Sequence, residues 1–313
     1  MIVGEEHSGM RLDAYLASLN AYPSRSVAAR YCDEGKVQVD GIAKPKNYKL
    51  TQGEEVAWEE ASNVFDVEPE DIPLDIRYED DDIIVISKQP GLVCHPANGH
   101  DNGTLVNALV AHCGKENLCD IQDDHRRLGI VHRLDADTSG LMVCAKTNQA
   151  GMTLSAAMKA HSTLRQYKTL VFGHIKQDNG KIDVPLLRTL NKRPKMIASN
   201  DAKAKTAITT FEVWERLETP RGNFTLLDCT IKTGRTHQIR AHMEYIRHPV
   251  VGDQLYTGGA PKDFDASKEL GLSRQFLHSA KIGFNHPRTG EYMEFTSDLP
   301  SDLQHALTLL ATN

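Results

Sequence analysis

Residues 129–147 read GIVHRLDADTSGLMVCAKT. Two apolar runs of strand length, GIV and LMVCAKT, flank the polar cluster HRLDADTSG, and Thr-Ser-Gly is a turn signal. A hairpin needs only a polar dipeptide at its tip. The His, the Arg and the two Asp are therefore surplus to turning the chain. A carboxylate held at a strand end by such a turn suits a group that needs a fixed angle of attack. The residues alone also allow a plainer reading, in which Arg133 and an Asp form a salt bridge beside an Asx-turn. Asp135 and Asp137 as a glycosidase-like pair is weaker, because spacing i, i+2 does not set the carboxyl separation.

The chain around this stretch is strand-rich from residue 74 onward. DIIVISK, YKTLVFG, KTAITTFEVW and FTLLDCTI are β-branched or alternating runs like GIVHRLD and LMVCAKT. TLVNALVAHC, AGMTLSAAMKAH and THQIRAHMEYI read as helices between some of them. Strands that follow one another without a helix argue for an α+β domain with a mixed, largely antiparallel sheet and peripheral helices. GxGxxG and GxxxxGK[ST] are absent, so nucleotide-cofactor folds are disfavoured.

The first sixty residues form a separate pattern. Leu12, Tyr15, Leu16 and Leu19 share one helical face, and RSVAARYCDE reads as a second helix with Ser24 as N-cap and Gly35 past its end. KVQVDGIAK then carries Asp40-Gly41, a hairpin signal, with a further strand near Glu55 to Trp58. The expected division is a helix–helix–hairpin module over 1–60, an acidic linker over 61–73 and a larger domain over 74–313.

At 313 residues and 40% hydrophobic content, the chain can bury a full core in one or two domains. The formal charge of -6 gives no global signature for nucleic acid, but the charge is segregated. Residues 54–82 hold thirteen Asp or Glu against Arg77 alone, whereas residues 159–205 hold eleven Lys or Arg against three Asp. The first reads as a solvated connector. The second reads either as an exposed basic loop or as a surface that neutralises phosphates. The first residues lack a signal-peptide pattern and no apolar run reaches membrane-spanning length, so the expectation is a soluble, cytoplasmic protein. Six scattered cysteines form no CxxC pair and HExxH is absent, so neither a disulfide framework nor a metal site is expected. Cys94, Cys144 and Cys229 read as small core residues.

A second informative stretch is TIKTGRTHQIRAHMEYIRHPVVGD, residues 230–253. Thr233-Gly234 turns a strand into a helix carrying Arg235, His237, Arg240 and His242. Cations at a helix N-terminus are opposed by the macrodipole, so Arg235 calls for a negative partner elsewhere in the fold. RQFLHSAKIGFNHP, residues 274–287, adds a buried strand with two histidines.

HRLDADTSGLMVCAKT, RQYKTLVFG, TGRTHQIRAHMEYIRHPVVGDQLY and RQFLHSAKIGFNHPRTGE, in that order, resemble the RluA-type pseudouridine synthases from about residue 74 to about 300. The amino-terminal module resembles the S-four-type RNA-binding module, as in the ribosomal large-subunit RluC and RluD branch. The resemblance implies isomerisation of uridine in RNA, most closely large-subunit ribosomal RNA. Such an isomerisation involves no redox change and requires no cofactor or metal, and a monomer with no membrane or obligate protein partner is expected. It implies that Asp135 is the catalytic aspartate and that Arg133 enters the RNA stack where the uridine flips out. It implies that Tyr167 packs on the uracil, Arg235 pairs with Asp135 and Leu277 lines the pocket. The RQYK stretch departs locally from relatives that have Lys or Arg, then Glu or Thr, before the Tyr. Arg25, Arg30 and Lys36 are the cations expected to hold RNA through its phosphates.

Flipping a base costs a few kcal/mol of stacking, and an aromatic ring returns about 1–3 kcal/mol per base. A bidentate arginine would keep a buried aspartate ionised. Attack on ribose, attack on the uracil ring and abstraction of a sugar proton all remain open to that carboxylate. The alternatives are a tRNA-directed synthase of the same chemistry, a non-catalytic RNA-binding or ribosome-assembly protein on the same fold, and an Asp-nucleophile hydrolase.

Overall fold

The structure, a computed structural model, describes residues 1–19, 21–22, 25–59, 67–96, 101–121, 125–189, 195–258 and 265–311. The chain divides into two compact units, residues 1–67 with 120–126, and residues 68–119 with 127–313.

In the smaller unit, α1 (Leu12–Ser18) and α2 (Arg25–Asp33) precede β1 (Val37–Val39), β2 (Ile42–Ala43) and β3 (Val56–Trp58). The three strands form an antiparallel sheet in the order β2-β1-β3. Leu12, Tyr15 and Leu16, on the helical face read from the spacing, are buried with Tyr31, Val37 and Val56. Asp40 and Gly41 both have positive φ (49° and 73°), as the tight hairpin turn requires. The expected cap Ser24 lies outside the described residues.

The larger unit runs β4 (Asp75–Glu79), β5 (Ile83–Lys88), α3 (Leu105–Cys113), β6 (Ser139–Ala145), α4 (Asn148–Lys159), β7 (Leu164–Phe172), β8 (Asn179–Asp183), β9 (Leu186–Arg188), β10 (Met196–Ala198), β11 (Ile208–Thr219), β12 (Gly222–Ile231), α5 (Gln238–Tyr245), α6 (Ala266–Glu269), β13 (Leu277–Asn285), β14 (Tyr292–Thr296) and α7 (Ser301–Ala311). Nine strands form one sheet in the order β4-β5-β6-β13-β7-β12-β11-β8, with β14 also paired to β13. Every pairing in it is antiparallel except β6 with β13. The unit is α+β with a mixed, largely antiparallel sheet. Every residue of β6 is buried, which is why its sequence is a continuous apolar run, while β4 and β14 alternate between exposed and half-buried positions. Cys94, Cys144 and Cys229 are buried, as small core residues should be.

Two expectations change. GIVHRLD is not a strand: Ile130 makes only an isolated bridge to Cys144, and Asp135 stands before β6 in a turn rather than at the end of a strand. The reason is local. The N–H of Val143 in β6 donates to the ring Nε2 of His132 at 3.1 Å, so a side chain takes a bond that a flanking strand's carbonyl would have accepted. Residues 68–73, read as part of the linker, are held on the larger unit. Asn107 donates to Glu68 O at 2.8 Å, and Glu70 Oε1 accepts the N–H of Gly103 at 2.7 Å.

Candidate active site

The segment that carries Asp135 is tied down peptide by peptide. The N–H of Leu134 donates to the Cys94 sulfur at 3.4 Å, and that thiol donates to Leu134 O at 3.2 Å. Asp135 O accepts from Thr138 N at 3.1 Å, closing a four-residue turn. Ala136 O accepts from Lys88 Nζ at 2.7 Å and from Gly91 N at 2.9 Å. Asp137 O accepts from Arg274 Nη1 at 2.9 Å, and Arg274 is itself held by Asp302 of α7 at 2.7 and 3.0 Å. Burial, and then the charge of Arg165, push His132 down to about 3, so its ring is neutral and Nε2 accepts from Val143.

The parallel pairing of β6 with β13 sets Ser139 opposite His278 and Gly140 opposite Ser279. A side chain at Gly140 would meet the Ser279 carbonyl oxygen at 2.3 Å, so the strands close up here only over glycine. On the other side of β13, Leu277 lies opposite Thr169 and Ser279 opposite Tyr167 of β7. Alternation along the strands puts Tyr167, Thr169, Leu277 and Ser279 on one face. Tyr167 and Leu277 are buried there, and burial pushes the Tyr167 hydroxyl pKa up. Arg165, two residues earlier on the same face, donates to Lys232 O at 3.0 Å, while its buried Nε has no partner among the described residues.

The cation that meets Asp135 is Arg240, whose Nη1 donates to Asp135 Oδ2 at 3.1 Å. Its Nε and Nη2 form a two-pronged pair with Asp253 at 2.6 and 3.0 Å. The two side chains of that pair are 9% and 0% exposed. Asp253 Oδ1 also accepts the N–H groups of Leu255 and Tyr256 at 2.9 and 3.0 Å, and the Arg240 guanidinium lies 5.0 Å from the centre of the Tyr256 ring. Burial alone would lower the pKa of Arg240. Asp253 and then Asp135 more than offset it and raise the pKa above the usual arginine range.

Arg235 does not make the expected pair with Asp135. It is exposed in the turn before α5, with its Nε on Thr206 O at 3.0 Å. The argument that a cation at this helix start needs a negative partner applies one turn later, to Arg240, because the first turn of α5 carries that residue inward. His237, in left-handed conformation at φ 52°, stands at the N-terminal boundary of α5 without a side-chain capping bond. Its Nε2 is 3.9 Å from Asp135 Oδ2 and its Nδ1 is 3.1 Å from the Tyr256 hydroxyl. Burial lowers its pKa, and the charge of Asp135 opposes the shift. Arg133 is exposed and makes no ion pair among the described residues, so the plainer reading of an Arg133–Asp bridge falls away. Lys88, Arg240, Asp253 and Arg274 were missed as site residues. Arg240 alone carried a signal, its place in the first turn of a helix.

Arg25, Arg30 and Lys36 belong to the smaller unit and are exposed or half-buried. Arg25 meets Asp13 at 3.2 Å, while Arg30 and Lys36 meet Glu34 at 3.7 and 2.7 Å. Two other clusters, Glu79–His112–Cys113 and Asp80–Asp82–His286, hold atoms of metal-ligand type close together. Their carboxylates are bonded to Lys146, His112, His286 and Arg288. Among the described residues no helix is long and apolar enough to cross a membrane.

The RNA pseudouridylate synthase family model matches residues 82–245, and the S4 domain model matches residues 10–56. The uncharacterized RNA pseudouridine synthase YlyB of Bacillus subtilis is 41% identical over 310 residues, covering 99% of this chain and 97% of that protein. Ribosomal large subunit pseudouridine synthase D of Vibrio parahaemolyticus is 40% identical over 309 residues, covering 96% of this chain and 91% of its own. The solved human RNA pseudouridylate synthase domain containing 1 shares the fold at a TM-score of 0.56 and 22% identity, over 77% of this chain and 96% of that one. Four ordered motifs, the sheet that assembles them and these likenesses agree: the chain belongs to the RNA pseudouridylate synthase family and carries an S4 domain over residues 10–56.

Proposed function

We propose that this enzyme converts specific uridines of large-subunit ribosomal RNA to pseudouridine, with Asp135 as the carboxylate that acts on the target nucleotide. The observation that carries the reading is the ion-pair chain Asp135–Arg240–Asp253 on a turn whose carbonyls, from Leu134 to Asp137, each accept a hydrogen bond. Arg240 holds and aims the Asp135 carboxylate, and Asp253 keeps Arg240 in place. The target base is flipped out of its stack, Arg133 fills the gap it leaves, Tyr167 stacks on the uracil and Leu277 gives the ring an apolar wall. The bond from ribose to the ring nitrogen breaks, the ribose joins carbon 5, the carbon-5 proton leaves to solvent, and the freed ring nitrogen takes up a proton in its place.

Arg235, exposed and outside the Asp135 pair, is assigned to a phosphate of the RNA, and Arg25, Arg30 and Lys36 to phosphates met by the S4 domain. The substrate class follows relatives named for the large ribosomal subunit that align over nearly the whole chain. The test is to map pseudouridines in RNA from cells with and without this protein. Loss of defined sites in large-subunit ribosomal RNA is expected. Loss confined to transfer RNA would move the enzyme to the tRNA-directed class.

A further inference from the structure

His237 lies beside the Asp135 carboxylate, yet no step described above uses it. Its backbone is left-handed, φ 52° and ψ 25°, a conformation that costs any residue with a side chain and that gathers at functional sites. The turn around it is fixed. The N–H of Gln238 donates to Arg235 O at 3.1 Å, the N–H of Arg235 to Gln238 Oε1 at 3.0 Å, and the N–H of Ala241 to His237 O at 2.9 Å. Hydrogen bonds also decide which ring nitrogen carries the proton. Tyr256 is fully buried, and its hydroxyl oxygen accepts the N–H of Met196 at 2.7 Å. The one acceptor which that hydroxyl meets among the described residues is His237 Nδ1, at 3.1 Å. A buried hydroxyl keeps its hydrogen bonded, so Tyr256 donates to Nδ1 and the hydrogen of the neutral ring sits on Nε2. Nε2 itself has no hydrogen-bond partner among the described residues. It stands 3.9 Å from Asp135 Oδ2, beyond bonding range, and Arg240 already holds that oxygen. Both side chains stay partly open, 22% and 15% exposed, so a nucleotide that reaches Asp135 also meets this N–H.

We propose that His237 is a catalytic residue: its Nε2–H donates to the carbonyl oxygen on carbon 2 of the target uracil as the bond from ribose to the ring nitrogen breaks. The proposal rests on Asp135 being the carboxylate that acts on the nucleotide. Whichever way Asp135 acts, the electron pair of that bond stays with the ring, and its charge spreads from the nitrogen to the carbonyl oxygens. The oxygen on carbon 2 flanks the breaking bond, whereas the oxygen on carbon 4 lies across the ring. A donor this near a carboxylate that works next to the bond therefore reaches the first oxygen and not the second. Its hydrogen bond strengthens as the charge grows, which stabilises the transition state more than the bound uridine. No proton leaves Nε2; the bond relaxes once the ring has rejoined the ribose through carbon 5. A neutral ring suits this task, because an imidazolium would be drawn onto Asp135 instead. Burial lowers the pKa of His237. Of the charges facing the ring, Asp135 and Asp253 oppose the shift while Arg240 and Arg133 add to it, and Tyr256 is its remaining titratable neighbour.

The experiment uses large-subunit ribosomal RNA carrying uridine, 2-thiouridine or 4-thiouridine at a mapped target site, since sulfur accepts hydrogen bonds poorly. It compares wild type, His237→Gln, His237→Phe and Asp135→Asn by RNA affinity and by single-turnover rate at saturation, read from chromatography of the digested RNA. His237→Phe should lower the rate on uridine about 100-fold, the loss expected of one donor to a developing charge, with affinity within about threefold. His237→Gln, whose amide offers an N–H near the same point, should recover about tenfold of that loss. Wild type should be slowed about tenfold more by 2-thiouridine than by 4-thiouridine, and His237→Phe should not tell the two apart. The wild-type rate on uridine should not fall as pH rises through 6.5, the ordinary histidine value, because the ring is already neutral there. A fall would make the imidazolium the active form and overturn the proposal. A His237→Phe rate within about threefold of wild type overturns it too, as does an equal wild-type penalty from the two thio-bases. Should the Phe variant fail to fold, the wild-type comparison of thio-bases decides. Turnover by Asp135→Asn would instead overturn the assignment of the carboxylate.

Discussion

The charged residues of the two units are used in opposite ways. In the smaller unit the arginines and lysines stay wet. Arg25, Arg30 and Lys36 keep 55%, 41% and 37% of their side chains exposed; Arg30 and Lys36 meet the exposed Glu34 close by in sequence, and Arg25 reaches across to Asp13. Exposed pairs of this kind contribute about 0–1 kcal/mol, can be exchanged for other partners, and weaken in salt. In the larger unit Arg240 and Asp253 are enclosed in a two-pronged pair, and Asp135 Oδ2 accepts from the third guanidinium nitrogen. Such a group cannot drift or be solvated without breaking several bonds. One set of charges suits a polyanion that must be gripped and released, the other a reaction that needs one geometry.

The widest gap between the two regions should appear on replacing the carboxylate itself. Asp135→Asn is expected to keep the fold and RNA affinity, yet lose turnover by more than about 10⁴-fold. Tritium release from RNA labelled at uridine carbon 5 measures it, and release at a wild-type rate would remove Asp135 from the reaction.

Next in size is Asp253→Asn, which leaves the enclosed Arg240 with Asp135 as its one charged partner. Breaking a buried pair from one side costs about 3 kcal/mol of stability, read from denaturant unfolding. The freed guanidinium should then swing on Asp135 and lower the saturated rate about 100-fold. A variant of wild-type stability and rate would show that the enclosure of the pair carries no weight.

Arg235 sharpens the comparison because it lies in the same motif as Arg240 but on the wet side of it. Arg235→Ala should weaken RNA binding several-fold and reduce the slope of log affinity against log salt by about one, with the saturated single-turnover rate near normal. A collapse of the saturated rate with affinity intact would return Arg235 to the carboxylate.

The smallest effects belong to the S4 domain. Arg25→Ala should lower RNA affinity slightly and cost about 0.5 kcal/mol of stability, because its exposed guanidinium is screened by solvent. Asp13, its partner, is buried, which raises its pKa, but bonds from Arg11 and then Arg25 bring it below the usual carboxylate value. A lowered carboxylate stabilises fully above its unfolded pKa of about 3.9 and loses that contribution as pH falls through the folded value. The difference in stability between wild type and Arg25→Ala should therefore be present at pH 7 and disappear as pH falls through the lowered folded value of Asp13. A difference that persists in acid would mean that Arg25 acts by packing.

Much of this protein was determined by local pattern. The helix face of Leu12, Tyr15 and Leu16, the Asp40-Gly41 turn, the apolar run of β6 and the four ordered motifs depend on neighbours a few residues apart, so they can be read from sequence. The run GIV misled because a strand and an extended segment satisfied by a histidine ring share the same apolar residues. The choice between Arg235 and Arg240 was decided only in three dimensions. Asp135 and Arg240 are 105 residues apart, and which cation reaches the carboxylate depends on how α5 is seated and where Asp253 closes behind it. Lys88 and Arg274 left no local trace for the same reason: the carbonyls of Ala136 and Asp137 that they hold are 48 and 137 residues away. Periodicity reports which side of an element faces the core, but only the pairing of distant strands, here the parallel approach of β13 to β6 over Gly140, determines which charges meet there.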